Sequence, residues 1–321
     1  MRVVIMPRTH IWPEVLPHQL ERLKRAGIED IVVVTDRESL LREVRTADAL
    51  VGEMDPEILE HAGQLKWVQA LASGVDAFLF DAFIESDIVL TSEKGLVGEH
   101  LGDHAFALLL GLTRMIPQAA RQRNWDETMR MRMRMENREL SGKTAAIIGL
   151  GGTGVSVARR ANAFGLRCLA VDPDVTSGPP HVERIVTPDK LLDVAAESDI
   201  IFVCCPKTAA TTNLIGRDVF DAMPADGYVI NVTRGGIIDE TALMAALDSG
   251  KLAGAGLDVV SKEPLPDDNP LWKYDNVLIT PHTAGASQFR VDRILERVFT
   301  NMERFQRDEP LEGVIDKRKG Y

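Results

Sequence analysis

No apolar run in this sequence approaches the roughly 20 residues a membrane-spanning helix requires, which sets aside a helical membrane class. Cysteine is scarce: Cys168, Cys204 and Cys205 are the only three, and all lie in apolar, strand-like runs. Buried reduced thiols are therefore expected, not disulfides. His and Cys never adopt zinc-like spacing, so no metal centre is predicted. Positive charge is also short, with 37 Lys and Arg against 48 Asp and Glu, a net charge of −11. Such a balance argues against nucleic acid as a general partner. The opening Met-Arg-Val-Val-Ile-Met-Pro is too short an apolar stretch for a signal peptide, so a cytoplasmic protein is expected. What is present is an ordinary globular composition, 45% hydrophobic and 26% charged, over 321 residues. That length supports two domains with separate cores.

Short apolar runs alternate with helical patterns along the first hundred residues. The runs are Val3 to Met6, Ile31 to Val34, Ala49 to Val51, Trp67 to Ala70 and Ile88 to Leu90, with Leu16, Leu20, Leu23 and Leu40, Leu41, Val44 between them. Alternation of this kind predicts parallel strands joined by crossover helices. A second series begins at Thr144, with runs at Ala145 to Ile148, Cys168 to Val171, Ile200 to Cys204, Val229 to Val232, Gly254 to Leu257 and Val277 to Ile279. The fold class is thus α/β, with two doubly wound parallel sheets. Amphipathic stretches around Leu101 to Ile116 and Val291 to Phe305 mark the seams. The latter follows the second sheet and is able to return to the first. We therefore expect a discontinuous domain of residues 1–100 plus 288–321, flavodoxin-like, into which a nucleotide-binding domain of residues 101–287 is inserted.

Gly149, Gly151 and Gly154 stand directly after one apolar run and before a helical one, and Asp172 closes the next run. A glycine-rich turn lets backbone N–H groups approach a pyrophosphate, the following helix N-terminus favours its charge, and the acid accepts from a ribose diol. This is a dinucleotide signature; a purely structural turn is the plainer alternative. Asp172 disfavours a 2′-phosphate, so NAD is preferred over NADP.

Three polar signatures follow predicted strands: Asn231-Val-Thr-Arg-Gly-Gly-Ile-Ile-Asp239, Asp258-Val-Val-Ser-Lys-Glu-Pro264 and Thr280-Pro-His-Thr-Ala-Gly285. Ligands of open parallel sheets bind beyond the carboxyl ends of the strands, so these signatures converge on one cleft. They bring a cation, Arg234, a carboxylate, Glu263, and an imidazole, His282. Taken singly, each has a plain reading as a carbonyl cap, a loop acid or a loop histidine. Together they suit a reaction that builds negative charge on oxygen, which needs a proton donor and a nearby cation. Asn231-Val-Thr233 fits a glycosylation sequon by accident, since it falls in a predicted buried strand.

With these residues in view the chain resembles the D-isomer-specific 2-hydroxyacid dehydrogenases over nearly its whole length. The matching residues are Gly149-Leu-Gly-Gly152-Thr153-Gly154, Asp172, Cys205-Pro206, Thr233-Arg-Gly-Gly236, Asp258-Val259, Glu263-Pro264 and Pro281-His282. The resemblance implies that Arg234, Glu263 and His282 are catalytic and that Thr233 and Asp258 touch the nicotinamide carboxamide. It further implies that Leu71-Ala-Ser73-Gly74-Val-Asp76 donates backbone N–H groups to a substrate carboxylate, alongside Arg234. Cofactor contacts are expected from the glycine loop, Asp172, Cys205, Pro206, Thr233, Asp258, His282 and Gly285. A homodimer assembled through the NAD-binding domain is implied too. The activity expected is reversible reduction of a small 2-oxo acid such as glyoxylate or hydroxypyruvate with NAD(H). Phosphite oxidation on the same scaffold and an NAD(H)-sensing, co-repressor-like binding module are the alternatives.

Some residues depart from the family's pattern. Where it carries Val-Ala-Glu-His, this chain has Leu101-Gly-Asp-His104, and Lys207 stands in a usually apolar place, which softens the preference for NAD and keeps NADP possible. His100 and His104 sit four apart on a predicted helix, a spacing that also suits metal ligands, but the start of an interdomain helix is the better reading. Met129-Arg-Met-Arg-Met-Arg-Met135 segregates its two residue types only if extended. A surface arm burying methionines and a basic site for an anion are both open readings of it.

Overall fold

In the computed structural model, which describes residues 1–8 and 11–321, the chain forms two compact units: Met1–Val97 with Ser287–Tyr321, and Gly98–Ala286. Both sheets are wholly parallel.

The first unit holds β1 (Arg2–Ile5), β2 (Asp30–Val33), β3 (Ala49–Gly52), β4 (Trp67–Ala70) and β5 (Val89–Thr91), in the order β2-β1-β3-β4-β5. Successive strand residues face opposite sides, so apolar runs are what a sheet covered on both faces needs. Val4, Leu50, Val68 and Leu90 pack on one side, and Val3, Ile5, Ala49, Val51 and Trp67 on the other. The C-terminal helix Arg290–Gln306 covers the second side with Ile294, Val298, Phe299 and Met302. Polar groups buried beneath it are satisfied in a chain: Trp67 Nε1 donates to Thr91 Oγ1 (2.8 Å), and Thr91 Oγ1 and Asn301 Nδ2 both donate to Gln69 Oε1 (2.8 and 3.0 Å). Local signals start the crossover helices. Asp36 and Asp55 each accept the N–H three residues on, at 2.8 and 2.9 Å, and so cap helices Arg37–Glu43 and Pro56–His61.

The second unit holds β6 (Thr144–Ile148), β7 (Arg167–Val171), β8 (Arg184–Val186), β9 (Ile200–Val203), β10 (Gly227–Asn231), β11 (Leu252–Leu257) and β12 (Val277–Ile279). Their order, β12-β11-β10-β9-β6-β7-β8, reverses direction between β6 and β9, the switch point at which such sheets bind ligands. The strands end in one row. Register pairs Val171 with Ile148, Ile148 with Val203, Val203 with Asn231, Asn231 with Leu257, and Leu257 with Ile279. Every loop that follows therefore leaves the sheet at the same edge.

Two local features escape the sequence pattern. β8 is a three-residue edge strand, only partly buried. The Met/Arg segment is helical, Glu127–Glu136, with Asp126 accepting Met129 N–H at 3.0 Å. Helical geometry spreads the alternating residues around the axis: Met129 and Met133 are half-buried, and Met131 and Met135 face solvent.

Candidate active site

The glycine loop leaves β6 with each glycine in a distinct situation. Gly149 has φ +95, and a Cβ there would lie 2.7 Å from Cys205 Cα, so no side chain fits. A Cβ on Gly154 would lie 2.0 Å from the Gly149 carbonyl oxygen, which is how helix Gly152–Ala163 packs so closely under the turn. Gly151 is different, because a Cβ there meets nothing within 4 Å. Its missing side chain leaves space open in front of the helix N-terminus, whose N-cap, Gly151 itself, has no side chain to cap the first turn. Tight turn, open approach and close packing are the three uses that a dinucleotide cradle has for glycine, and these residues fit a bound pyrophosphate. Thr153 is buried at the same turn.

Asp172 follows β7 and shapes the rim of this cradle. Its Oδ2 accepts Leu150 N–H at 2.7 Å, and Oδ1 accepts the N–H groups of Asp174 and Val175, both at 2.9 Å. After β9, burial pushes the Cys205 thiol up to about 12, aided by the nearby Asp172 charge, and the Pro206 carbonyl accepts the Thr211 hydroxyl at 2.7 Å. Lys207 lies over Gly236: a Cβ on that glycine would come within 2.9 Å of its Nζ.

Arg234 is held from behind by Asn231, a role that the sequence signature did not reveal. Buried Asn231 accepts Thr233 N–H through Oδ1 (3.1 Å) and donates through Nδ2 to the Arg234 carbonyl (2.8 Å). The Thr233 hydroxyl donates to the same Oδ1 at 3.3 Å, and Arg234 Nη1 donates to the Thr233 carbonyl at 2.7 Å. Gly235 admits the neighbouring loop, since a Cβ there would lie 1.8 Å from the Val260 carbonyl oxygen.

His282 and Glu263 meet: Nδ1 lies 2.7 Å from Glu263 Oε2. Glu263 is itself fixed, because Oε1 accepts Val260 N–H at 3.1 Å. His282 adopts φ +53, an uncommon backbone state for a residue with a side chain. Asp258 stabilises it. The Asp258 carbonyl accepts His282 N–H (2.9 Å), Oδ1 accepts Thr283 N–H (2.9 Å) and the Thr280 hydroxyl (2.6 Å), and Oδ2 accepts Ala284 N–H (2.8 Å). The side chain of Asp258 is wholly buried, so each unmade bond would cost on the order of 1–3 kcal/mol. Both its oxygens are thus engaged within the protein. Gly285 closes the same loop, half-buried. Arg234, Glu263 and His282 all follow the aligned strand ends of this unit; Ser73 and Gly74 belong to the first unit, half-buried after β4, where the Ala72 carbonyl accepts Glu93 N–H at 3.1 Å. Among the described residues no group of three or more His, Cys, Asp or Glu is arranged to hold a metal ion, and no helix is long and apolar enough to cross a membrane.

Residues 106–284 match the family model for the D-isomer specific 2-hydroxyacid dehydrogenase NAD binding domain. A D-3-phosphoglycerate dehydrogenase of Archaeoglobus fulgidus is 37% identical over 88% of this chain and 55% of its own length. The chain thus spans about half of that relative. A glyoxylate reductase of Korarchaeum cryptofilum is 34% identical over 84% of this chain and 83% of its own. Among solved structures, a D-isomer specific 2-hydroxyacid dehydrogenase from Xanthobacter autotrophicus Py2, in complex with NADPH and MES, superposes with TM-score 0.80 at 25% identity, over 100% of this chain and 99% of that one.

Proposed function

The chain belongs to the D-isomer specific 2-hydroxyacid dehydrogenase family, and on that premise we propose that it is an NAD(P)-dependent oxidoreductase acting on small 2-oxo acids and D-2-hydroxy acids, of glyoxylate or hydroxypyruvate type. The observation that carries this reading is the His282–Glu263 pair at 2.7 Å, set on a loop clamped by Asp258. A nicotinamide cofactor, when bound, exchanges a hydride with C2 of the substrate. His282 moves the proton: with Nδ1 engaged by Glu263, Nε2 gives a proton to the carbonyl oxygen in reduction and takes it back in oxidation. Glu263 orients the ring and offsets positive charge on it. Arg234 holds the substrate carboxylate and offsets charge growing on oxygen, a task suited to a planar cation with paired donors.

Gly149, Gly151, Gly152, Thr153 and Gly154 would hold the pyrophosphate, and Asp172 would accept from the ribose diol, which favours NAD. Cys205, Pro206, Thr233, Asp258, His282 and Gly285 complete the cofactor's surroundings. In the first unit, Ser73 and Gly74 are the proposed backbone donors to a substrate carboxylate. Residues 1–100 with 288–321 serve as the substrate domain and 101–287 as the NAD-binding domain, in a cytoplasmic homodimer joined through the latter. Exposed Ile116, Trp125, Met131 and Met135 on one segment of the second unit support self-association there.

The test is NADH and NADPH oxidation against a panel of 2-oxo acids, with light scattering for the oligomeric state. Tight NADH binding with no turnover of any acid overturns the enzymatic reading, and a monomer at working concentration overturns the dimer.

A further inference from the structure

We infer that His104 is a positioning residue for the loop carrying His282, acting through Thr280 and Asp258; this rests on the reading of His282 given above. His104 lies on helix Gly98–Thr113 of the second unit. That helix is locked against the nucleotide-binding helix by two glycines four residues apart. A Cβ on Gly98 would lie 2.4 Å from the Gly152 carbonyl oxygen, and one on Gly102 2.8 Å from Ser156 Oγ. Two residues beyond Gly102, His104 Nε2 lies 2.8 Å from Thr280 Oγ1 and 3.4 Å from Asp258 Oδ1.

Proton counting fixes the direction of this contact. The Thr280 hydroxyl has one hydrogen and gives it to Asp258 Oδ1 at 2.6 Å, so its oxygen accepts and His104 Nε2 carries the hydrogen. A buried carboxylate with no lysine or arginine partner among the described residues depends on such donors to remain in place. Asp258 in turn receives Thr283 and Ala284 N–H, and its carbonyl receives that of His282. His282 keeps its left-handed backbone only where neighbours over-determine it. One line of hydrogen bonds thus runs from the helix packed on the glycine loop to the backbone of the catalytic imidazole.

The test compares His104→Leu with His104→Gln, whose amide can donate from nearly the place of Nε2. Amide hydrogen exchange is followed in residues 280–286 and in β10 as a control, and kcat, KM and the NADH dissociation constant are measured beside it. In His104→Leu, exchange at 280–286 should quicken about tenfold, the worth of one buried hydrogen bond, and kcat should fall by a similar factor with NADH affinity changed less. His104→Gln should restore both to within about threefold. Thr280→Val, which keeps His104 and cuts the relay, should reproduce the leucine variant and serves if the latter does not fold. Exchange at 280–286 unchanged in His104→Leu or Thr280→Val, or quickened equally in β10, overturns the inference. Since exchange needs no substrate, it reads the relay even if wild-type protein turns over no 2-oxo acid, a result that would sink the functional reading alone.

Discussion

Nδ1 of His282 lies 2.7 Å from Oε2 of Glu263, while the second oxygen of Glu263 accepts Val260 N–H at 3.1 Å. The imidazole is held by a carboxylate that is itself held, and under the proposed function Nε2 serves the substrate. His282→Asn should therefore lower kcat by about 10²–10⁴-fold with little change in NADH affinity. Glu263→Gln keeps an acceptor but loses the charge, and a smaller loss, about tenfold, is expected. Steady-state kinetics on glyoxylate and hydroxypyruvate decide it; full activity in either variant removes that residue from the proton path.

The glycine loop separates folding from binding. Gly151→Ala adds a methyl group into space open to 4 Å, so the cofactor-free protein should melt as wild type while NADH binding weakens about tenfold or more. Gly149→Ala meets Cys205 at 2.7 Å from a backbone at φ +95, and should cost on the order of 1–3 kcal/mol of stability before any cofactor is added. Thermal melts paired with NADH fluorescence titrations separate the two; equal melting losses would contradict the assignment.

Asp172 carries two duties. Its oxygens hold three backbone N–H groups of the cradle rim, and under the proposed function its charge disfavours a 2′-phosphate. Asp172→Ala should lower the NADH to NADPH preference about tenfold and also lower the melting temperature. An unchanged ratio of kcat/KM for the two cofactors would assign selectivity to other residues.

The thiols should be silent. Burial pushes Cys168 up to about 11 and Cys205 to about 12, and raises Cys204 further. Thiolate is the reactive form, so native protein should give essentially no colour with Ellman's reagent at neutral pH. All three cysteines should react after denaturation. Rapid native labelling would mean that the sheet opens locally around them.

Acid should weaken the edge of the second sheet. Hydrogen bonds from Arg184 and then Arg167 hold the Glu197 carboxyl below its ordinary value. A depressed folded-state value stabilises above the unfolded carboxylate range, and that contribution is lost as pH falls through the folded value. Glu197→Gln should accordingly lower the melting temperature at neutral pH by no more than about 3 °C, since the pair is exposed. Melts across the acid range should show the gap closing; a gap that widens with acid would reverse the sign.

Much of this molecule is written locally. Apolar runs of three to five residues marked eleven of the twelve described strands to within a few residues, because a sheet covered on both faces buries most of its strand residues. The edge strand Arg184–Val186 went unmarked because Arg-Ile-Val offers only two apolar residues in a row. The Met/Arg helix was equally hidden, because its alternation has the period of a strand while its capping aspartate and neighbours favour a helix. The positions of Gly149, Gly151, Gly154, Arg234, Glu263 and His282 beyond strand ends were legible because each follows an apolar run within about six residues.

The sequence by itself therefore determined the two parallel sheets, the glycine loop and the three chemical groups placed after the strands, since each depends on residues near one another in the chain. Tertiary structure alone decided what holds the loop of His282: Asp258 beneath Thr283 and Ala284, and His104 against Thr280 from 176 residues away. Periodicity records which residues are buried. It does not record which buried donor finds which acceptor, because those partners meet only once the strands have been brought into register.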